Sequence, residues 1–476
     1  MGTIRRFSFM FLFTGLLAST MALQTFPVAA ATYYVAISGS DANPGSQQEP
    51  WRTVQKAADS VLPGDTVLVG AGTYPELVKT TRAGTASQRI TFDGQGVAEV
   101  SRFWVENPYI TLTRFNLTGQ TQPGASAIEL IDGAHYTIVS NNVINTQTNL
   151  GVRGIQMTLD GMDDPAETNA PRHCLVISNY VCNIYAASAF AIGGRFNTFK
   201  DNTVENIFSA DFVRLFGHTN LLQRNVFRNN WYVPDTGYHA DFIQTFGNNR
   251  QASTGHIIDG NIVENIENGQ LCQLTMVNAF NDGQHGDWTF SNNHFIDIAL
   301  QASAGIPNVK WVNNVFYRVS YTGGPVLALG YTEGRSNAGG AVVMNNVFLD
   351  CGLNDRDNSG WYSLGVPNIT ADYNFVSKMN YQPVNEGAQA SNGVWYEPNG
   401  INGGNPMFVN ESGFDFRILP GSPLIDEGTT LSGFNYDFDG DPRPQGAAWD
   451  IGAYESEGVM APAKPLPPVN PRVIEE

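Results

Sequence analysis

The sequence is poor in charged residues, and basic residues are the scarcer kind. Only 15% of the 476 residues are charged, and 26 Lys and Arg stand against 44 Asp and Glu, which gives a net charge of −18. We expect no nucleic-acid partner, because phosphate binding requires a basic face. Hydrophobic residues make up 42% of the chain, so a large core can form and disorder is excluded as the main state.

Long apolar runs are also scarce. One follows Arg5 and Arg6 over residues 7–21, and small residues at 28–31 offer cleavage sites. This pattern predicts a secretory signal peptide over residues 1–31; the alternative, a membrane anchor, is disfavoured by the shortness of the run. We therefore expect a secreted protein, extracellular or periplasmic, with no transmembrane anchor.

Cysteine is rare for a secreted chain of this length. The four cysteines show no paired zinc-site spacing, and they are too few for a disulfide scaffold. A single bridge stays open, and the sequence assigns no metal ligands. The four are Cys174, Cys182, Cys272 and Cys351.

A short motif recurs instead: Asn, a β-former, a hydrophobe, any residue, then often Asn or Asp. The gaps between its leading asparagines are 37, 23, 23, 36, 32, 21 and 32 residues. The short gaps indicate a unit of 21 to 23 residues, and the long gaps indicate the same unit with inserted loops. The leading residues are Asn142, Asn179, Asn202, Asn225, Asn261, Asn293, Asn314 and Asn346.

Such a unit cannot bury its apolar face alone. Stacked copies form a continuous core, with parallel strands about 4.8 Å apart. The repeated Asn can tolerate the left-handed backbone of a turn, and its amide can bond the same amide one coil away. We interpret it as a structural ladder and not as a set of ligands.

The two ends of the repeat differ from its middle. Residues 51–62 place Trp51, Val54, Ala57, Ala58 and Val61 on one helical face, which predicts a short N-terminal helical cap. The ladder fades near residue 375, and the segment to 456 is expected to be a C-terminal capping segment. We predict an all-β chain, with a single right-handed parallel β-helix (a solenoid) and its caps over 32–456. A Pro-rich disordered tail follows at 457–476.

Both ends carry residues that resemble a known family. The opening reads Tyr33-Tyr-Val-Ala-Ile-Ser-Gly-Ser-Asp-Ala-Asn-Pro-Gly-Ser, followed by Trp51-Arg-Thr-Val-Gln-Lys-Ala and Pro63-Gly-Asp-Thr-Val-Leu-Val. The close contains Asp437-Phe-Asp-Gly-Asp-Pro-Arg-Pro. These segments resemble secreted bacterial right-handed parallel β-helix proteins of the pectate-lyase superfamily, which have the pectin lyase fold. The resemblance implies the fold; it leaves the activity open among lyases, hydrolases, epimerases and non-catalytic binders.

Two segments thirty residues apart, 210–217 and 240–247, match each other closely. Stacking would place Asp211 over Asp241 and Arg214 over Gln244. Aromatic rings can stack on sugar faces while polar groups fix orientation, so we expect a groove that binds a polysaccharide. The candidate catalytic residues are His239, Arg214, Asp241 and Asp211, and the candidate substrate-binding residues are Gln244, Gln273, Trp231 and Tyr238.

Strict alternation along a strand would put Asp211 and Arg214 on opposite faces. A bend between the two residues would bring both to the groove. In the alternative interpretation, the stacked Asp and Gln side chains only satisfy loop backbone.

Three functions compete for this groove. The first is β-elimination on a uronic-acid polymer, which needs a base and a positive charge beside the enolate. Arg214 and His239 could supply these, with Lys200 as a reserve. Because the chain is acidic, it would repel an anionic polymer unless positive charge lies in the groove. Calcium, which the resemblance implies could be held by Asp211 and Asp241, or a local arginine cluster would supply that charge. The cluster would contain Arg153, Arg172, Arg195 and Arg214.

The second function is glycoside hydrolysis. The stretch 239–244 is similar to a polygalacturonase motif, but both acids of the usual follow-on sequence are missing at 269–272. Stacked Asp211 and Asp241 would lie roughly 5 Å apart, nearer to the separation in retaining enzymes. The third function is a non-catalytic surface protein that binds polysaccharide. In all three cases we expect a monomer.

Asp437, Asp439 and Asp441 alternate as acids do in calcium loops. No acid stands at the twelfth loop position, which excludes an EF-hand. A structural turn or a calcium site are the remaining interpretations.

Overall fold

The computed structural model shows a chain wound into stacked coils of three short strands each. Residues 1–29 and 457–476, which hold most of the predicted signal peptide and all of the predicted tail, lie outside the described residues. The structure describes residues 30–120, 122, 124–146, 151–157, 169–233, 240–246, 252–267, 273–278, 285–321, 326–329, 339–351, 361–363, 368–377, 388–390, 393–395 and 397–456.

Each coil contributes to three parallel sheets, here named A, B and C in chain order within a coil. Three early strands bend through corners and join more than one sheet: Gly72–Lys79, Ile90–Val105 and Ile110–Leu117. Sheet A also contains Thr32–Val35, Thr66–Val69, Ile138–Ser140, Leu175–Ile177, Thr198–Lys200, Leu221–Gln223, Ile257–Asp259, Thr289–Ser291, Lys310–Val312, Val342–Met344 and Thr370–Asp372.

Sheets B and C follow sheet A around each coil. Sheet B also contains Val143–Asn145, Tyr180–Tyr185, Thr203–Phe208, Val226–Trp231, Ile262–Glu267, His294–Ile298, Val315–Val319, Val347–Leu349, Phe375–Ser377 and Ile401–Asn402. Sheet C also contains Ser126–Leu130, Arg153–Met157, Phe190–Ile192, Val213–Leu215, Ile243–Phe246, Gln273–Asn278, Leu300–Gly305, Leu327–Leu329, Trp361–Ser363 and Ala388–Ala390, with Gly393–Trp395 paired antiparallel to the last.

The remaining short elements lie outside these three sheets. Gly217–His218, Ser253–Thr254 and His285–Gly286 form a small parallel sheet at the turn from sheet C to sheet A. Phe408–Asn410 and Asp415–Ile418 form a two-stranded antiparallel sheet near the C-terminus. The helices are Val54–Ser60 and the 3-10 turn Glu411–Gly413.

The coils stack without slippage. Leu175 pairs with Thr198, Thr198 with Leu221 and Leu221 with Ile257, one residue per strand. The predicted all-β, right-handed parallel β-helix is confirmed.

Inward side chains fill the interior in columns that run along the axis. On sheet A, consecutive strands contribute residues with no exposed surface, and the rings of Phe290 and Trp311 stack with centroids 3.9 Å apart. Burial of apolar surface at about 25 cal/mol per Å² makes these columns the main source of stability. The column contains Phe199, Leu222, Ile258, Phe290 and Trp311.

The asparagine ladder is confirmed at the corner between sheets A and B. Asn202 donates from Nδ2 to Asn225 Oδ1 at 2.9 Å, and Asn225 donates to Asn261 Oδ1 at 3.0 Å. Backbone N–H groups bond the same oxygens, so each rung satisfies buried donors of the coil before it. The ladder extends one coil further than expected, to Asn374, whose amide donates to Glu397 Oε2 at 3.0 Å.

The left-handed backbone lies beside the ladder and not on it. The residue before each rung has positive φ, as in Asp201 (53°) and Arg224 (51°). A second Asn column also has positive φ, with 61° at both Asn206 and Asn229. Asn229 donates to Asn206 Oδ1 at 3.2 Å, so this column forms a second, half-buried ladder.

The N-terminal helical cap is present, although shorter than the predicted face. Thr53 caps helix Val54–Ser60 by accepting from Lys56 N–H. The Glu76 carboxylate accepts from Val54 and Gln55 N–H at 2.9 and 3.0 Å, where the helix dipole favours an anion. Trp51 is buried as expected, but it forms a bridge with Val35 and lies outside the helix.

The C-terminal capping segment extends along the side of the β-helix. Outward residues of sheet B, such as Val315 and Val347, form a second apolar cluster with Phe416 and Ile451. Arg443, which is fully buried, pairs with Glu455 at 2.6 Å and donates to Asn292 Oδ1 at 3.2 Å. The segment is therefore fixed to the corner between sheets A and B.

Candidate functional site

The outer face of sheet C presents a row of side chains, one from each coil, and most of them are polar. Trp104 pairs with Glu129 in register and Glu129 with Gln156; Ala191 then separates Gln156 from Arg214, and Arg214 pairs with Gln244. The match between segments 210–217 and 240–247 thus reflects true stacking, as expected. The row in chain order is Trp104, Glu129, Gln156, Ala191, Arg214 and Gln244.

A bend does reconcile Asp211 with Arg214. Asp211 lies in the turn before strand Val213–Leu215, so the two side chains are not forced onto opposite faces. Arg214 donates from Nε to Asp211 Oδ2 at 2.9 Å, and the Asp211 side chain is 1% exposed while that of Arg214 is 28% exposed. A buried carboxylate therefore holds a guanidinium that reaches the surface.

The stacked Asp residues also bond backbone of the next coil. Asp211 Oδ1 accepts from Asp241 N–H at 3.4 Å, and Asp241 Oδ1 accepts from Gln273 N–H at 3.0 Å. Asp241 has no exposed surface. These contacts fix the two carboxylates beneath the outer face of sheet C.

Arg153 is the second cation of this face. It donates to the Gly124 carbonyl at 3.1 Å, and within the described residues it forms no ion pair. Burial lowers the pKa of Arg153, and the nearby positive charge of Arg214 lowers it further, while Glu129 opposes the shift. Two guanidinium groups thus repel each other across the strand that carries Ala191.

Three residues of this site were not predicted from sequence. Arg102 lies 3.8 Å from Glu129, and Gln156 donates to Glu129 Oε1 at 3.3 Å. Arg102 and Glu129 precede the first motif residue, Asn142, and Gln156 follows it in the first coil of the repeat, so the repeat gives no register that links the three. Only the stacked strands place Glu129 and Gln156 in the row with Arg214.

The predicted aromatic residues are partly described. Trp231 stacks on Phe208, with centroids 5.0 Å apart, and Phe208 stacks on Tyr185 at 4.3 Å, at the end of sheet B. Trp231 is half-buried there, just before the turn that leads to sheet C. Tyr238 and His239 lie outside the described residues, so their predicted roles stay predictions.

The predicted arginine cluster divides into two groups. Arg172 and Arg195 occupy adjacent positions at the turn from sheet C to sheet A, next to His218 in the following coil. His218 Nδ1 lies 3.0 Å from Thr254 Oγ1. The structure therefore pairs Arg153 with Arg214 on the sheet C face and places Arg172 and Arg195 in a separate column.

Lys200 does not belong to the groove. It lies on sheet A, in register with Ile177 and Gln223. The prediction of Lys200 as a reserve base is wrong, because sheet A faces a different side of the solenoid.

In the part of the chain that the structure describes, no three His, Cys, Asp or Glu side chains come together as metal ligands do. Asp437 instead accepts from the N–H groups of Asp441 and Glu455 at 2.8 and 3.0 Å. Burial raises the pKa of Asp437 to about 6. These bonds favour the structural turn over a calcium loop. Cys174 and Cys182 are buried and form no disulfide bond, and Cys272 lies outside the described residues.

The sequence matches a defined protein family. The family described as "Protein of unknown function (DUF1565)" matches residues 37–318, which is more than half of the chain. The chain belongs to this family. A curated relative, the "Uncharacterized protein YwoF" of Bacillus subtilis (strain 168), is 39% identical over 59 residues; the match spans 12% of this chain and 13% of that protein.

Solved structures share the fold of this DUF1565 protein. "The complex structure of XylC with xylose" matches with a TM-score of 0.57 and 12% identity, over 89% of this chain and 98% of that one. "Crystal structure of pectate lyase Pel9A" matches with a TM-score of 0.49 and 15% identity, over 90% and 97%. At these identities the likeness shows the fold alone. Among the described helices, none is long and apolar enough to cross a membrane.

Proposed function

We propose that this protein binds an acidic polysaccharide along the outer face of sheet C and cleaves it by β-elimination. The observation that carries the proposal is the pair of like charges, Arg153 and Arg214, on a chain whose net charge is −18. Arg214 is already paired with Asp211, whereas Arg153 forms no ion pair among the described residues, so an anionic ligand beside both would stabilise the charge of Arg153. A uronate carboxylate is an anion of suitable size, and guanidinium groups bind carboxylates through paired hydrogen bonds.

The chemistry follows from this placement. A base removes the proton from the carbon beside the uronate carboxylate, and the released electron pair spreads onto the carboxylate oxygens. A carbon–carbon double bond then forms as the glycosidic oxygen leaves and takes up a proton. Arg153 and Arg214 stabilise the charge that develops on the carboxylate. His239 is our proposed base.

The neighbouring groups support binding of a sugar chain. Gln156 lies on the strand of Arg153, and Gln244 is the neighbour of Arg214 in the row; amides can bond sugar hydroxyls. Trp231 at the end of sheet B offers an aromatic contact. XylC, which has the same fold, is described with xylose, and this agrees with a saccharide ligand.

Hydrolysis is the second candidate, with Asp211 and Asp241 as its acids. Their burial disfavours it, because a catalytic carboxyl must reach the glycosidic bond or a water molecule. Both acids also accept backbone hydrogen bonds from the next coil.

The test is a screen of uronate polymers, with and without calcium, read by ultraviolet absorbance and by reducing ends. Elimination gives an unsaturated sugar that absorbs, and we expect Arg214→Ala and Arg153→Ala to abolish that signal. Arg318→Ala is the matched control, since Arg318 pairs with Asp297 on sheet B, outside the groove. Reducing ends without absorbance would support the hydrolase, and retention of polymer without product would support a non-catalytic binder.

A further inference from the structure

A second surface, away from sheet C, carries a stack of aromatic rings at the turn from sheet C to sheet A. Tyr109, Tyr136, His173 and Phe196 come from four successive coils, and their rings stack with nearly parallel planes and centroids 4.8 to 5.3 Å apart. All four have φ between 54° and 59°. Each ring covers a face of its neighbour, so only the end of the stack can offer an aromatic face to a ligand.

The stack ends at Phe196 with that face uncovered. The next two positions of the column are Thr219 and Gly255, which are too small to cover the ring. Phe196 is accordingly 49% exposed, although it is a large apolar side chain. We call the space beside the exposed Phe196 ring, over Thr219 and Gly255, the notch.

Polar groups close the far side of the notch. The following coil contributes Asp287, whose Oδ1 accepts from Asn308 Nδ2 at 2.9 Å. Its Oδ2 has no partner among the described residues and can accept from two hydroxyl groups. The gap from Phe196 to Asp287 spans three coils, about 14 Å, which is enough for one sugar ring stacked on Phe196 and a second beyond it.

A cleft of about 550 Å³ lies next to the notch along the following strands of sheet A. Gly255, Asp287 and Asn308 are followed two residues later by Ile257, Thr289 and Lys310, which line that cleft. The C-terminal loop 432–440 forms its other wall, with Tyr436 61% exposed. Lys310 is exposed and forms no ion pair with any described residue.

We infer that the notch and the cleft together form a second, non-catalytic saccharide-binding site. The Phe196 face would hold a pyranose ring, the carboxylate of Asp287 would accept hydroxyl hydrogens, and Lys310 would donate to a sugar oxygen. Because Asp259, Asp437 and Asp439 also line the cleft, the site favours a neutral sugar. An aromatic ring that stacks on a sugar face, with polar groups around it that fix orientation, suits a saccharide ligand. This site is independent of the uronate cleavage proposed for sheet C.

Affinity electrophoresis tests the inference with native gels that contain polygalacturonate, alginate, xylan or dextran. We expect the protein to be retarded in the xylan or the dextran gel. Phe196→Asn removes the ring and suits the left-handed backbone, and we expect about tenfold weaker binding. Gly255→Asn places a side chain in the notch, where a Cβ added at this position would lie 3.3 Å from Thr219 Oγ1. It should weaken binding to a similar degree.

Tyr109→Asn is the matched control, since it removes the ring at the other end of the same stack, where the Arg89 guanidinium lies over the ring at 5.7 Å from its centroid. Uronate cleavage by each variant is measured separately and should stay at the wild-type level. Wild-type mobility of the Phe196 and Gly255 variants, or no retardation of the native protein in any gel, overturns the inference. Retardation that depends on Phe196 in a protein that cleaves nothing supports this site and contradicts the proposed lyase.

Discussion

Arg214 is held by Asp211 at 2.9 Å, and the carboxylate is buried while the guanidinium reaches the surface. Asp211 is thus a positioning residue in the proposed site. Asp211→Asn keeps the oxygen that accepts from Asp241 N–H but removes the charge that fixes Arg214. We expect kcat/KM for uronate cleavage to fall about tenfold or more, with little change in the urea unfolding midpoint.

The matched control is Asp201→Asn. Asp201 bonds Arg224 Nε at 2.8 Å and Nη2 at 3.1 Å in a similar pair, at the corner between sheets A and B. Cleavage should be unaffected there. If both variants cleaved at the same rate, the positioning role of Asp211 would be wrong. If Asp211→Asn lost stability as well as activity, the role of Asp211 would be structural.

The two asparagine ladders, one buried and one half-buried, should contribute unequally to the free energy of unfolding. Asn225 accepts from the backbone and amide of Asn202 and donates to Asn261 Oδ1 and the Phe199 carbonyl. Asn225→Ala leaves these buried groups unsatisfied, and we expect a loss of about 3 kcal/mol in urea unfolding.

Asn229→Gly is the comparison, because Asn229 is half-buried and glycine suits its φ of 61°. That loss should be about 1 kcal/mol or less. If the two variants lost equal free energy of unfolding, the buried ladder would stabilise the fold no more than the half-buried one.

Sequence predicted the ladder because Asn recurs at the same point of each unit even when loops are inserted. It did not reveal the last rung, Glu397, because a carboxylate there replaces the amide and the motif is absent. Likewise, the stacking of Asp211 on Asp241 was visible in two matched segments. Gln156 and Glu129 were not, because their place beside Arg214 depends on the register of early, irregular coils.

The docking of the C-terminal segment on sheet B was also missed. Its signal lies in strands such as Val315–Val319, which have apolar residues on both faces and so need cover on the outside. A capping segment was expected from residue 375 onward, but sequence alone gave no reason to place it along the side.

His294 predicts a pH dependence of that docking. Its ring stacks on Phe438 with centroids 4.2 Å apart, and it also contacts Phe416 and Tyr454. Burial lowers the pKa of His294 to about 3, and the Asp415 carboxylate opposes the shift only in part. Because the unfolded chain binds the proton near pH 6.5, stability should fall as pH drops from about 6.5 towards 3.

His294→Phe keeps the aromatic contacts and removes the titration. The difference in unfolding free energy between wild type and variant should change by up to about 1.4 kcal/mol per pH unit below pH 6. Burial raises the pKa of Asp437 and of Asp450 to about 6, which acts in the opposite direction, but both carboxyls are present in both proteins and cancel in the difference. If the unfolding free energies of the two proteins changed with pH in parallel, the assignment of this pH dependence to His294 would be wrong.

Calcium gives the last prediction, since the acidic chain could use it either to fold or to bind substrate. The ladder from Asn142 to Asn374 and the apolar columns already hold the coils together without an ion. No cluster of three acidic, His or Cys ligands occurs within the described ranges. We therefore expect one cooperative melting transition, at an unchanged midpoint, with and without a chelator. Any calcium dependence should appear only in cleavage or polymer retention, measured on the same samples. Loss of the cooperative transition on chelation would show that an ion is part of the fold.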